Sequence, residues 1–94
     1  MIHHTTGVLS DLIRLREFIA DKNPTATSRI SSELKQEINK LSISSQIGIE
    51  VSKATDPKKI RDLFVGNYTI RYLVANDDIF ILKLWHDKEN EGNE

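Results

Sequence analysis

Tyr68-Thr69-Ile70-Arg71-Tyr72-Leu73-Val74-Ala75-Asn76-Asp77-Asp78-Ile79-Phe80-Ile81-Leu82-Lys83-Leu84-Trp85-His86 is the stretch on which the fold turns. It is rich in β-branched and aromatic residues, holds neither glycine nor proline, and is interrupted once, by Asn76-Asp77-Asp78. Two strands joined by a tight turn, an antiparallel hairpin, are the reading. Core demand sets the register, because a slip of one residue exchanges the two faces. A loop of Asn76, Asp77 and Asp78 places Tyr68, Ile70, Tyr72 and Val74 on one face with Phe80, Leu82, Leu84 and His86, and that face is almost wholly apolar. The other face then gathers Thr69, Arg71, Leu73, Ile81, Lys83 and Trp85, a mixed surface suited to a partner. A loop shorter by one residue would bury Lys83, which is costlier. The longer loop is the expected one.

Upstream, Ile60 to Val65 has the same strand character, and Gly66-Asn67 supplies a turn, so an antiparallel meander precedes the hairpin. Lys53 to Lys59 reads as a charged loop around Asp56-Pro57. Before it, Ile47, Ile49 and Val51 alternate with Gly48 and Glu50 as in a half-buried strand. Ile2 to Thr5 adds a short strand at the start. Between these lie two stretches of helical period. Val8, Leu12, Leu15 and Ile19, widened by Leu9 and Phe18, form the apolar stripe of a first helix, with Ser10, Arg14, Glu17 and Asp21 opposite. Asp11, Glu17 and Asp21 are assigned to the solvated side. Asn23-Pro24 then starts a second helix running to Leu41, Asn23 as cap and Pro24 in the first turn, with Ala26, Ile30, Leu34, Ile38 and Leu41 inward. The expected fold is α+β: an N-terminal two-helix hairpin on a curved antiparallel sheet of three to four strands. Residues 1–88 form its single domain and residues 89–94 a flexible acidic tail.

The chain has 94 residues, 38% of them apolar, enough for one modest core and too little for two. Its 13 basic and 14 acidic residues leave a formal charge of −1, so no overall positive field attracts nucleic acid. With no cysteine the fold depends on neither disulfides nor a thiolate metal site, as suits a reducing compartment. The first residues carry neither a basic cluster nor an apolar run, and no segment nears the ~18 apolar residues of a membrane span, so a soluble, cytoplasmic protein is expected. His3, His4 and His86 do not predict a metal site, because adjacent strand residues point to opposite faces. No cofactor motif and no nucleophile–base arrangement is present.

The order helix, helix, antiparallel strands, with Asp11-Leu12 and Asn23-Pro24-Thr25-Ala26 in the hairpin and Arg61-Asp62-Leu63, Tyr68-Thr69-Ile70-Arg71-Tyr72 and Ile81-Leu82-Lys83-Leu84-Trp85-His86 in the sheet, resembles the ParE branch of the RelE/ParE toxin family. The resemblance covers the whole chain except the tail. It implies the toxin of a type II toxin–antitoxin pair, held in a hetero-oligomer by a cognate antitoxin, ParD-like or another small DNA-binding protein. Two activities occur in the family. RelE-like members cut mRNA on the ribosome; ParE-like members poison DNA gyrase and block replication, a property tied to plasmid stabilization.

A ribonuclease of this kind needs cations to stabilise a phosphorane-like transition state and a base for the ribose hydroxyl. Here Thr69 stands where such nucleases resemble one another in placing an arginine, Ile60 and Asp62 occupy the basic positions of the preceding strand, and no tyrosine follows Tyr72. The gyrase poison is therefore the expected function and no catalytic residue is assigned; the mRNA interferase and an inactive, antitoxin-binding toxin are the alternatives. The resemblance implies that toxicity and gyrase binding reside in Lys83, Trp85, His86 and Lys88, and that Leu12, Arg61, Arg71 and Leu73 contact the antitoxin. Tyr68 and Tyr72 read as core. Arg61 reads as a guanidinium bridging sheet to loop or meeting antitoxin carboxylates. Arg71 and Lys83, if cross-strand neighbours, repel unless an acid lies across them, and an acidic antitoxin would supply it.

Overall fold

The computed structural model describes residues 1–51 and 59–90, apart from the side chain at position 90. Strand β1 (Ile2–His4) leads into helix α1 (Thr6–Lys22), a single 3-10 turn (Pro24–Ala26) and helix α2 (Thr27–Lys40). Strands β2 (Ile49–Glu50), β3 (Ile60–Val65), β4 (Tyr68–Ala75) and β5 (Asp78–His86) follow, and a short helix α3 (Asp87–Asn90) closes the described chain. The sheet has five strands in the order β1-β5-β4-β3-β2. It is mixed rather than purely antiparallel, because β1 runs parallel to β5, with Ile2 opposite Ile79 and His4 opposite Ile81. The expected three to four antiparallel strands thus become five. The charged loop expected at 53–59 lies, apart from Lys59, outside the described residues.

Helix α1 begins where Thr5 caps it. The Thr5 hydroxyl accepts the Val8 amide at 3.3 Å and donates to the Ile81 carbonyl at 2.7 Å, joining the cap to the sheet. Val8, Leu15 and Ile19 are buried, Leu12 and Phe18 half-buried, and Leu9 is half exposed. Of the five residues expected inward from the second helix, Ala26 in the 3-10 turn, Leu34 and Ile38 in α2 and Leu41 just after it are buried, and Ile30 is half-buried. Asn23 does not cap that helix through its side chain, which instead accepts a hydrogen bond from Thr25 at 2.9 Å. These helical residues close over Ile70, Tyr72, Ile79, Ile81 and Leu84, of which Ile70, Tyr72, Ile81 and Leu84 are wholly inaccessible.

The β4–β5 hairpin answers the register question in a way neither simple loop allows. Ala75 pairs with Asp78, so the turn consists of Asn76 and Asp77 alone, with Asn76 at φ 57°, a left-handed conformation asparagine tolerates. That start places Ile79 and Ile81, rather than Phe80 and Leu82, on the core face beside Val74 and Tyr72. The register then shifts: Tyr72 faces Ile81 but Arg71 faces Lys83, leaving Leu82 as the extra residue of a β-bulge. Beyond it the pairs are those expected, Ile70 with Leu84 and Tyr68 with His86. The bulge reconciles a short turn with an exposed Lys83. It keeps the tight loop yet returns the cation to the open face.

The alternation expected over Ile47 to Val51 fails at Ile47, Gly48 and Ile49, while Glu50 is exposed and Val51 half-buried as expected. Ile47 and Ile49 are exposed, at 48% and 63%, whereas Gly48 is the buried residue and its amide donates to the Tyr72 hydroxyl at 2.9 Å. The reason is volume: the fully buried Tyr72 ring fills the space over this segment, and only a residue without a side chain can lie against it.

A side-chain hydrogen bond helps hold β1 to the hairpin. His3 Nε2 lies 3.1 Å from Asp78 Oδ1, and the His3 ring stacks on Phe80 with centroids 4.7 Å apart. That hydrogen bond holds the Asp78 carboxyl below its ordinary pKa. A carboxylate whose pKa is depressed by folding stabilises the fold above the unfolded-state value, and the contribution is lost as pH falls through the lower folded-state value. Asp78→Asn, which keeps an acceptor for His3, is expected to lower the thermal midpoint at neutral pH. The gap between the two proteins closes on acidification through and below the ordinary carboxylate range. A gap unchanged down to about pH 2 would contradict the assignment.

Candidate functional site

The residues expected to carry toxicity sit at the end of β5, but they do not form one patch. Trp85 and His86 are consecutive in a strand, so their side chains leave opposite faces. The open face carries Asp62, Arg71, Lys83 and Trp85 on three adjacent strands. The Arg71 guanidinium lies 5.2 Å and the Lys83 ammonium 5.7 Å from the Trp85 ring centre, so one indole serves two cations. Thr69, paired across from Trp85, is 3% exposed. Phe64 and Ile49 extend this surface, both exposed.

Arg71 and Lys83 are cross-strand neighbours, and the acid that offsets their repulsion comes from the chain itself. Arg71 Nε and Nη2 donate to the two carboxylate oxygens of Asp62 at 2.8 and 2.9 Å, a fork-to-fork pair. An antitoxin carboxylate is not needed there. The pair holds Arg71 above its ordinary pKa, chiefly through the hydrogen bond to Asp62. Arg61 has the bridging role read for it. Its Nη1 donates to the carbonyls of Gly48 at 2.9 Å and Gln46 at 3.3 Å, and its Nη2 lies 3.4 Å from Glu50, which fastens the β2 segment to β3. Leu12 and Leu73 are both half-buried, Leu12 on the hairpin and Leu73 on the open sheet face, so the four residues assigned to the antitoxin do not converge.

On the helix side, His86 is enclosed by aromatic rings. Its ring centre lies 5.2 Å from Phe18 and 4.8 Å, edge to face, from Tyr68. The Lys88 amide donates to His86 Nδ1 at 2.9 Å, which leaves Nε2 to carry the ring proton of the neutral form. Tyr72 is core, as expected; Tyr68 is half-buried and lines a cleft beside His86. Burial pushes both tyrosine hydroxyls above their ordinary pKa, the Gly48 amide opposing this at Tyr72.

Periodicity missed a polar cluster that ties these elements together. Asp11, assigned to solvent, is 7% exposed. One of its oxygens accepts the Leu84 amide at 3.0 Å and the other accepts Arg14 Nη1 at 2.6 Å. Arg14 Nη2 donates to the Leu84 carbonyl at 2.9 Å, and Arg14 Nε to Glu89 at 2.8 Å. Glu89 also accepts the His86 amide at 3.2 Å, so this first residue of the expected tail is tied down; residues 91–94 lie outside the described residues. The Glu89 bond, followed by that of Asp11, raises the Arg14 pKa well above its ordinary value, so this cation does not titrate. The i,i+3 spacing of Asp11 and Arg14 was the available signal.

Among the described residues no group of three His, Cys, Asp or Glu side chains is placed to hold a metal ion, and no helix is long and apolar enough to cross a membrane.

A chromosomal ParDE TA system from P. aeruginosa has a solved structure that superposes with a TM-score of 0.74 at 15% identity, covering 90% of this chain and 92% of that one. At that identity the likeness is one of fold. No curated protein matches. The sequence profile described as the ParE toxin of type II toxin-antitoxin system, parDE, matches residues 2–91, nearly the whole chain. The resemblance first read from the strands around Tyr68-Thr69-Ile70-Arg71-Tyr72 therefore holds: the chain belongs to the ParE family of type II toxin–antitoxin toxins.

Proposed function

We propose that this ParE-type toxin acts in the cytoplasm as a non-catalytic poison of DNA gyrase and is neutralised by a cognate antitoxin. The observation that carries the choice between activities is the commitment of the sheet arginines. Arg71 has two donors fixed on Asp62, and Arg61 is held by two backbone carbonyls and Glu50. A phosphoryl-cleaving site needs such guanidiniums aimed at developing charge, not paired within the fold.

The proposed gyrase contact lies at the end of β5, through Trp85 and Lys83 on the open face and His86 and Lys88 around its edge. A large aromatic flanked by cations is the kind of side chain on which binding energy concentrates. Trp85→Ala is expected to weaken gyrase inhibition by roughly 30-fold, about 2 kcal/mol, at a stability cost of about 1–2 kcal/mol from the lost contacts with Arg71 and Lys83 that leaves the protein folded, since Trp85 lies outside the buried core. Inhibition at parental strength would remove Trp85 from the contact.

Induction of the protein in cells tests the function itself. Labelled thymidine incorporation should fall before labelled methionine incorporation. The reverse order would favour the mRNA interferase, and unaffected growth the inactive toxin.

A further inference from the structure

A row of charged side chains crosses the open sheet face: Asp62 on β3, Arg71 on β4 and Lys83 on β5, each paired in register with the next. Trp85, the single tryptophan of the chain, stands two residues beyond Lys83 on β5 and so lies diagonal to Arg71, within reach of a long side chain. The bulge at Leu82 is what brings Lys83 and Trp85 to this face together. Both cations approach the indole, but they are held differently. Lys83 is exposed, a point charge on a flexible stem. Arg71 presents a planar guanidinium gripped by both oxygens of Asp62, at 2.8 and 2.9 Å. A bidentate pair fixes the tilt of the plane as well as its place. The Arg71 guanidinium, 5.2 Å from the ring centre, is therefore a fixed neighbour for Trp85, and Thr69, buried between its cross-strand partners Phe64 and Trp85, is another. The Asp62 side chain is only 14% exposed, so what it does for a partner on this face passes through Arg71.

We propose that Asp62 is a positioning residue for the gyrase contact: by gripping Arg71 it holds that cation against the Trp85 indole, so the ring meets its target already in the orientation it keeps when bound. The inference rests on the gyrase reading above and adds to it a residue that touches no partner. Its physical content is preorganisation. A large side chain that must be ordered on binding costs about 0.5–1.5 kcal/mol, and a ring ordered beforehand by its own neighbours avoids that cost. The Asp62–Arg71 pair thus has a use beyond offsetting the repulsion between Arg71 and Lys83.

The test uses the full-length protein and two readouts. Because Trp85 is the only tryptophan, its time-resolved fluorescence anisotropy reports the motion of this one ring. In the parent the decay should follow the tumbling of the whole molecule; in Asp62→Ala, and likewise in Arg71→Gln, a fast component from local ring motion on the picosecond to nanosecond scale should appear. Far-ultraviolet circular dichroism confirms that each variant is folded. The second readout is the concentration that half-inhibits gyrase supercoiling, measured as a double-mutant cycle. Asp62→Ala should weaken inhibition about fivefold in the parent, yet by less than about twofold in the Trp85→Ala background, where there is no ring left to position. A loss of the same size in both backgrounds would overturn the proposal, since Asp62 would then act on the target directly or through the fold at large. So would an unchanged anisotropy decay in Asp62→Ala while the parent inhibits gyrase. A parent protein without effect on gyrase would instead bring down the gyrase reading, and the positioning role with it.

Discussion

Asp11→Ala is expected to destabilise the protein by about 2–4 kcal/mol, read as a lower urea midpoint at unchanged slope. The reason lies at the outer edge of β5. Strand β1 covers that edge only as far as Ile81, after which no strand among the described residues pairs with it on that side. Asp11 and Arg14 take the neighbour's place, the carboxylate accepting the Leu84 amide and the guanidinium donating to the Leu84 carbonyl. A helix thereby satisfies a sheet edge. Alanine leaves the buried Leu84 amide without its acceptor, and an orphaned buried donor costs about 1–3 kcal/mol before the loss of the Asp11–Arg14 contact is added. Asp11→Asn keeps an oxygen for the amide and should recover roughly half of the loss. Since domains of this size are stable by only about 5–15 kcal/mol, alanine removes a large fraction of the total. An alanine variant within ~0.5 kcal/mol of the parent would refute the edge argument.

Gly48→Ala is the second large effect, also about 2–4 kcal/mol, and it comes from steric conflict. A Cβ at this position would lie 2.6 Å from the Tyr72 hydroxyl oxygen, 2.8 Å from Tyr72 Cε1 and 3.0 Å from the Asp62 carbonyl oxygen. The carbonyl is backbone and the ring is wholly buried, so neither yields easily. Displacing the ring also breaks the hydrogen bond from the Gly48 amide. Tyr72→Phe alone should cost about 1–2 kcal/mol by leaving that amide unpaired. The two changes share one cause, so the double variant Gly48→Ala/Tyr72→Phe should be less destabilised than the sum of the single ones. A strictly additive cycle would mean the hydroxyl is not what the methyl meets.

How far the fold was legible follows from the range of the signals. The strands around Tyr68 and Leu84 and the helices around Leu15 and Leu34 show in local period, and each forms where its period places it. What local period does not contain is the pairing of Ile2–His4 with Ile79–Ile81, which joins the two ends of the chain and depends on the edge that β5 leaves open. The hairpin misreading is instructive. Two demands, a tight Asn76-Asp77 turn and a solvent-facing Lys83, conflict under any uniform register, and the bulge at Leu82 meets both. A helical wheel places Asp11 with the polar residues because it scores the side chain alone. Its burial depends on Arg14 one turn on and on a strand edge 73 residues away. Lys83, Trp85, His86 and Lys88 stand close together in the sequence. Their division between two faces follows from strand alternation, and the Asp62–Arg71 pair from a register between β3 and β4 that neither strand encodes alone.

The proposed action on gyrase is open to test in a supercoiling reaction. Purified protein added to DNA gyrase, ATP and relaxed plasmid should abolish supercoiling and, after detergent and protease treatment, leave linear DNA that marks trapped cleavage complexes. Undiminished supercoiling at excess protein, with no linear product, would mean that gyrase is not the target.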